Sequence, residues 1–141
     1  SGLACAMTIR LLLPALLALG LALPAAAQAP GDTPPGPPTA APYDDSLIRL
    51  SEILGAMHYL RDLCGAGEGT VWRDQMQGII DAEQADGERL ARLIEAFNRG
   101  YDGFKAVYRT CTPAATTAID RYMDEGARIA RDVAARYGRE E

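Results

Sequence analysis

A short apolar stretch, LGAMHYLRDLCG at residues 54–65, contains several side chains that can do chemistry. His58 and Asp62 stand four positions apart, a spacing that brings two side chains to one face of a helix and could hold two metal ligands there. A zinc site needs at least three protein ligands, and His58 is the only histidine of the chain. A metal site would therefore have to recruit carboxylates from another helix, and we interpret His58 first as a helix-flank residue bonded to a neighbour or to water.

Arg61 falls inside the apolar stripe of the same stretch, where an unpaired guanidinium is costly. Two structural interpretations are that its side chain extends past the end of the helix or stacks on Trp72 across the next turn. A functional interpretation is contact with an anion or a carboxylate in a pocket at that end. His58, Arg61 and Asp62 are therefore candidate contacts for a ligand or a partner.

The cysteines predict a cross-link. Of the three in the chain, Cys5 lies ahead of a processing signal, which leaves Cys64 and Cys111 in the exported protein. If the chain folds as an up-down-up-down bundle, each of these two occupies the last turn of its helix, and both turns lie at the same end. A redox-catalytic pair is disfavoured because such pairs are closely spaced, as in C-x-x-C. The sequence thus predicts a structural disulfide between Cys64 and Cys111.

The segment FNRGY at residues 97–101 mixes aromatic core positions with polar side chains. Gly100 lies on the same apolar stripe, where its missing side chain would permit another helix to come close. Asn98 lies at the edge of the apolar stripe and is expected to tie two helices together. Recognition of a partner through Asn98 and Arg99 is the alternative.

Other reactive motifs are excluded. DAEQADG at residues 81–87 resembles a calcium loop, but Ala85 occupies the fifth position, where an oxygen ligand is required. The chain has no phosphate-binding glycine loop, no G-x-S-x-G and no C-x-x-C-H. We therefore expect no cofactor, no catalytic residues and no enzymatic activity.

The N-terminal segment is typical of a secretory signal peptide. Arg10 precedes an apolar run of about 13 residues, which is too short to cross a bilayer, and Ala25–Ala27 fits the small-x-small rule for cleavage. Residues 1–27 are assigned to this signal and a short upstream remnant. No cysteine lies near Ala27, so no lipid anchor and no stable membrane anchor is expected after processing.

The remaining chain divides into a leader, a helical domain and a tail. Residues 28–42 hold most of the prolines and predict a stiff, disordered leader. Helical hydrophobic spacing then predicts a domain over residues 43–138, followed by a tail at residues 139–141.

Within that domain four helical segments are expected. The first segment is predicted to start at Asp45 or Ser46 and to stop at Gly65. Thr70 is the predicted cap of the second segment, and a turn at Asp86-Gly87 precedes the third, which runs to Cys111. The fourth segment is predicted to start at Thr112-Pro113. The first segment is apolar on more than one side and is expected to be the central element. The fold class predicted is therefore all-α, an antiparallel four-helix bundle with one inter-helix disulfide.

The charge balance excludes some classes of partner. Removing the first 27 residues removes one of 14 basic residues and none of the 19 acidic ones, which leaves about six net negative charges. Nucleic acid is therefore not an expected partner, because its binding relies on Lys and Arg that neutralise phosphates.

Four motifs in order, HYLRDLCG, WRDQM, AFNRGYDGF and YRTCTPAA, follow the signal peptide. This set resembles a family of small exported alphaproteobacterial proteins of unknown function. The resemblance spans Leu47 to Tyr137 and implies export and lineage, but no catalytic residues.

The sequence thus predicts an exported, periplasmic helical protein with a non-enzymatic binding or structural role in the cell envelope. Its expected partner is another envelope protein or a cell-wall component, bound through a helix face or through the end that carries Arg61. The alternative is a carrier of a small ligand or a metal that uses the region of His58, Arg61 and Asp62.

Overall fold

The computed structural model describes residues 40–138, which contain four α-helices and no strand. The helices are α1 (Asp44–Leu63), α2 (Val71–Glu83), α3 (Gly87–Val107) and α4 (Pro113–Tyr137). The all-α class is therefore confirmed for these residues. The predicted signal peptide, the leader up to residue 39 and the tail at residues 139–141 lie outside the described residues.

Helix α1 is the central element of the domain. It packs against α2, α3 and α4, whereas no Cα atom of α4 lies within 8 Å of a Cα atom of α2 or α3 in the described part of the chain. A helix with neighbours on several sides has no continuous polar face. The apolar character of α1 on more than one side is explained by this position, and the expectation that it is central is confirmed.

Two clusters of buried side chains flank α1. One joins α1 to α4 and is built from Ile53, Met57, Leu60, Ala115 and Ile119. The other joins α1 to α2 and α3 and is built from Leu47, Leu54, Met76 and Leu93. Trp72 packs against both clusters. The indole of α2 therefore connects the two halves of the core.

The α1–α3 contact is a close approach of two backbones. A Cβ atom added at Gly55 would overlap the carbonyl oxygen of Phe97, and one added at Gly100 would overlap that of Glu52. Glycine at both positions lets the helices come closer than any other residue would permit. The sequence-based expectation that another helix approaches Gly100 is confirmed, and Gly55 is its counterpart on α1.

The helix boundaries differ from the predicted ones at two places. Helix α1 begins at Asp44, slightly before the expected start, and its first turn is closed by the carboxylate of Asp44, which accepts a hydrogen bond from the Ala41 N–H at 3.2 Å. Helix α3 ends at Val107, so the prediction that it runs to Cys111 is wrong. Tyr108 leaves the helix with an extended backbone.

The start of α4 is as predicted. The Thr112 Oγ accepts a hydrogen bond from the Ala115 N–H at 3.1 Å, and Pro113 takes the first helical position, where its missing donor does no harm. Thr70 precedes α2 as expected, but its hydroxyl donates to the Asp74 carboxylate at 2.8 Å instead of capping a backbone N–H.

Cys64 and Cys111 lie at disulfide distance, with their Cα atoms 4.9 Å apart. Neither stands in the last turn of a helix: Cys64 follows the end of α1, and Cys111 belongs to the loop that precedes α4. The pair therefore connects the end of α1 to the α3–α4 loop. In the same region the Tyr59 hydroxyl donates a hydrogen bond to the carbonyl oxygen of Tyr108.

The opposite end of α1 is held by a cluster of charges. Arg89 of α3 donates to the buried Asp44 at 2.6 Å and to the Glu83 carboxylate at 2.7 Å. The Tyr43 hydroxyl donates to the same Glu83 carboxylate at 3.1 Å, and burial together with that carboxylate raises the pKa of Tyr43. One guanidinium thus joins the start of α1, the end of α2 and the start of α3.

Candidate functional site

An open apolar groove runs along α1 between α2 and α4, and we call it the α2/α4 groove. It encloses about 460 Å³. Its floor is formed by α1, and its walls by α2 and α4; the lining residues are Leu50, Ile53, Leu54, Met57, Val71, Trp72, Gln75, Ile79, Tyr122, Met123, Gly126, Ala127 and Ala130.

The groove exposes large apolar side chains that the core could have covered. Val71 keeps 45% and Met123 keeps 43% of their surface in contact with solvent, one on each wall. The two walls stand apart, since no Cα atom of α2 lies within 8 Å of a Cα atom of α4. A contiguous exposed apolar surface of this kind is typical of a site that binds another apolar surface.

Trp72 is held in the α2 wall by Glu68, whose carboxylate accepts hydrogen bonds from two side chains. Its Nε1–H donates to the Glu68 carboxylate at 2.6 Å, and the Arg61 Nε–H donates to the same carboxylate at 3.1 Å. The Arg61 hydrogen bond, followed by that of Trp72, lowers the pKa of Glu68. Of the three interpretations of Arg61, the structure shows contact with a carboxylate, and that carboxylate belongs to the protein itself. Arg61 therefore acts on the groove indirectly, through Glu68 and Trp72.

His58 lies on a different side of α1. Its ring is half-buried against α3, with centroids 5.6 Å from Tyr101 and 6.0 Å from Phe97. Burial, and secondarily the charge of Arg73, lowers the pKa of His58, and its Nδ1 has no hydrogen-bond partner among the described residues. Both effects favour the neutral form of the ring.

The three candidate residues of the first stretch do not converge. His58 faces α3, Arg61 binds Glu68 and Asp62 is exposed. Among residues 40–138 there is no group of three or more His, Cys, Asp or Glu side chains that could hold a metal ion. The geometry gives the carrier alternative no assembled site.

Asn98 and Arg99 both lie on the exposed side of α3. Arg99 reaches Glu52 of α1 at 3.7 Å, and Glu52 is also contacted by Arg49 at 3.3 Å. Arg49 in turn holds Glu125 of α4 through two hydrogen bonds of 2.7 and 3.0 Å. The inter-helix tie that the sequence assigned to Asn98 is thus made in the structure by its neighbour Arg99.

The α4 wall of the groove was not anticipated from the sequence. Tyr122 and Gly126 lie on the apolar stripe of α4 that faces α1, but Met123, Ala127 and Ala130 fall beside it. A signal was present, since these apolar residues widen the stripe beyond what one contact with α1 requires. Val71, placed beside Trp72 at the start of α2, gives the same signal on the opposite wall.

The comparisons with known proteins give a family. The family model described as Protein of unknown function (DUF2385) matches residues 42–137. The chain belongs to this family. The match covers α1 to α4 together with Cys64 and Cys111, so the groove lies entirely inside the family domain. No curated protein and no solved structure matches the chain.

None of α1 to α4 is both long and apolar enough to cross a bilayer.

Proposed function

We propose that this DUF2385 protein is an exported, non-enzymatic binding module of the bacterial cell envelope that holds an apolar segment of another protein in the α2/α4 groove. The observation that carries the proposal is the groove itself, with Val71 and Met123 exposed on facing walls. Burial of apolar surface is the main driving force of most protein association. The exposed part of such a surface is buried only when a partner covers it, and that burial lowers the free energy of the complex.

Export is supported by two features of the sequence and one of the fold. A signal-peptide pattern ends near Ala27, and no cysteine beside it would attach a lipid. Cys64 and Cys111 lie at disulfide distance, and disulfides persist in oxidising compartments such as the periplasm. The alphaproteobacterial lineage implied by the motifs is part of the same proposal.

A role without catalysis is supported by the contacts of the charged groups. Arg61 is bonded to Glu68, Arg89 to Asp44, and Arg49 to Glu125. A general base or an activated nucleophile needs a reactive partner within hydrogen-bond reach and access to a substrate. These charged groups connect helices and loops of the domain to one another, so they stabilise the fold.

The groove is tested by site-specific crosslinking in living cells. A photoreactive benzoylphenylalanine replaces Met123 inside the groove, and a matched variant carries it at Ala135, an exposed residue of the same helix outside the groove lining. We expect a protein adduct from position 123 that Ala127→Trp removes, and none of it from position 135. The same adducts from both positions, or none from position 123, would contradict the proposal.

Export is tested separately. Residues 1–42 are fused to a phosphatase that is active only after it leaves the cytoplasm, and the N-terminus of the full chain is sequenced after purification. We expect phosphatase activity and a mature protein that starts after Ala27 or Ala29. An inactive fusion together with an uncleaved chain would show that the protein is not exported by this signal.

A further inference from the structure

The dimensions of the α2/α4 groove match a short helical segment. Its α4 wall runs from Tyr122 to Ala130 and its α2 wall from Val71 to Ile79. At about 1.5 Å of rise per residue each wall is about 12 Å long. A helix laid along that length presents apolar side chains at positions i, i+4 and i+7.

The walls also favour a helix over an extended segment. Small residues, Ala127 and Ala130, form part of the α4 wall, and small side chains allow two helix axes to approach to about 8–10 Å. An extended segment would bring its backbone donors and acceptors against apolar walls, and the described residues contain no strand edge to pair with them. A helix satisfies those groups internally.

Three exposed aspartates stand within one helical turn of groove-lining residues near the end that carries Trp72 and Tyr122. Asp74 stands one turn after Val71 on α2, and Asp120 and Asp124 stand one turn before Met123 and Ala127 on α4. All three carboxylates are exposed, and none forms an ion pair with a residue of the described range 40–138. We call these three residues the acidic rim.

The three rim residues lie near the same end of the groove because the segments of α2 and α4 that carry them lie there. Trp72 of α2 and Tyr122 of α4 both pack against the core cluster around Met57. Asp74 follows Trp72 closely, and Asp120 and Asp124 flank Tyr122.

The basic residues of α4 are distributed differently. Arg121 lines a separate cavity with Phe104 and Tyr108 on the α3 side. The positive charges of Arg128 and Arg121 both act on Glu125, which is bonded to Arg49. Arg131 follows the groove-lining Ala130, towards the opposite end from the acidic rim. On α2, Arg73 follows Trp72, and its charge acts on His58. The three rim carboxylates thus stand near one end of the groove, in a chain whose formal net charge is -5.

Resting on the proposed function, we infer that the occupant of the α2/α4 groove is a short amphipathic helix of a partner protein with basic residues at the end that lies beside the acidic rim. The apolar face supplies affinity, and the charge at one end fixes the direction in which the helix lies. An anionic lipid surface is the wrong partner for this groove, because the rim carboxylates would repel it.

The probes are two lactam-stapled peptides of about 14 residues, long enough to span the groove as a helix once stapled. Both lack tryptophan and carry leucines at i, i+4 and i+7; one ends in three lysines and the other in three glutamates. The full chain, expressed with its own leader and purified, is titrated with each peptide by calorimetry. Trp72, the only tryptophan, reports contact with the wall through its fluorescence.

We expect the lysine peptide to bind about tenfold more tightly than the glutamate peptide, since several exposed charge pairs attract the first and like charges repel the second. The double variant Asp120→Lys, Asp124→Lys should abolish or reverse that preference, whereas Asp132→Lys, an exposed site on another face of α4, should keep it. Raising the salt concentration should reduce the preference, because the charges are exposed.

Two matched variants test the groove in the same titration. Ala127→Trp fills it and should remove binding of both peptides, while Ala135→Trp should leave binding unchanged. Circular dichroism confirms that each variant is folded before it is compared.

The remaining outcomes overturn the inference in distinguishable ways. Equal, groove-dependent binding of both peptides would refute the basic end but leave the proposed function in place. If a fluorescent fatty acid binds in the groove and neither peptide does, the occupant is an acyl chain and the inference of a helix is refuted. Peptide binding that Ala127→Trp does not change would refute the groove and the proposed function together. No binding by any probe would refute the helix, and the crosslinking at position 123 would then decide the function alone.

Discussion

The two sides of α1 are built in opposite ways. Towards α3 the helix backbones touch at two glycines, and Leu93 keeps 2% of its surface exposed. Towards the gap between α2 and α4 the helices stay apart, and Met123 keeps 43%. One face of α1 is therefore covered by intramolecular packing, and another face remains open. The first is a closed packing interface, and the second leaves part of its apolar surface available to a partner.

The open side is nevertheless held in shape. Glu68 fixes the Trp72 indole, and Arg61 fixes Glu68. On the far side of α4, the bidentate contact of Arg49 with Glu125 fixes the helix against α1. Walls whose positions are set in advance lose less conformational entropy on binding. The contrast is thus between a closed interface and a preformed open one.

The largest expected effect is on the closed side. Leu93→Ala removes a fully packed side chain of the α3 face and should lower the free energy of unfolding by about 2–5 kcal/mol, the usual cost of a large-to-small change in a core. Urea unfolding followed by circular dichroism measures it. A loss below about 1 kcal/mol would mean that the α3 side is as loosely packed as the groove.

The cysteine pair supports both sides, because it ties the end of α1 to the loop before α4. The two cysteines are 47 positions apart. On the chain-entropy model, closing a loop of about that length stabilises the fold by up to about 4 kcal/mol. The double variant Cys64→Ala, Cys111→Ala should lose most of that stabilisation, measured as the free energy of unfolding in urea. A midpoint equal to that of the parent protein would show that the cross-link does not form.

The glycine contact gives the next effect. Gly100→Ala forces a methyl group into the α1 backbone and should cost about 1–3 kcal/mol, the range for overpacking. Gly103→Ala on the same helix meets no atom within 4 Å and should be neutral or gain up to about 1 kcal/mol from better helix propensity. Thermal unfolding of both variants checks this, and equal effects would contradict the close approach.

Acid should weaken the contacts that hold the open side. The guanidinium of Arg49 keeps the pKa of Glu125 below its usual value, and Arg61 does the same for Glu68. The folded protein therefore binds protons less readily at these groups than the unfolded chain. Their stabilisation is complete above the unfolded pKa of about 4.5 and is lost as the pH falls through the lowered folded-state values.

Unfolding midpoints between pH 7 and pH 3 measure that loss. We expect Glu125→Gln to be less stable at pH 7 and to depend less on pH than the parent protein. Glu95→Gln is the control, because Glu95 is exposed and forms no ion pair within residues 40–138. The same pH profile for the Glu125 variant and the parent would exclude a role of this contact.

The smallest effect is expected in the groove. Met123→Gln should change the free energy of unfolding by no more than about 0.5 kcal/mol, because the side chain is exposed at the surface and lies outside both buried core clusters. Its effect should fall on partner binding instead. A loss comparable to that of Leu93→Ala would mean that the groove is part of the core.

Local signals predicted much of this fold. Thr112 and Pro113 mark the start of α4 because capping and the missing proline donor act within one turn of chain. Gly100 indicated a close helix approach because a missing side chain on an apolar stripe has few other uses. The end of α3 was misplaced, since Tyr108 continues the apolar spacing although its backbone is extended.

The candidate site was predicted less well. Arg61 was identified as a polar group in an apolar stripe, but its partner Glu68 sits in a glycine-rich loop whose path no periodicity encodes. Met123 was not predicted to line a site. Whether an apolar residue is covered depends on how far apart two helices stand, and nothing in α4 alone reports its distance from α2.

The sequence by itself determined the helices, the candidate cross-link and the central place of α1, because each follows from spacing along one stretch of chain or from a count of residue types. Only the tertiary structure decided that α2 and α4 flank α1 without meeting, and so created the groove. That outcome is a balance of contacts between distant segments: the glycines bring α3 onto α1, while the ion pairs and Trp72 hold α2 and α4 where they stand.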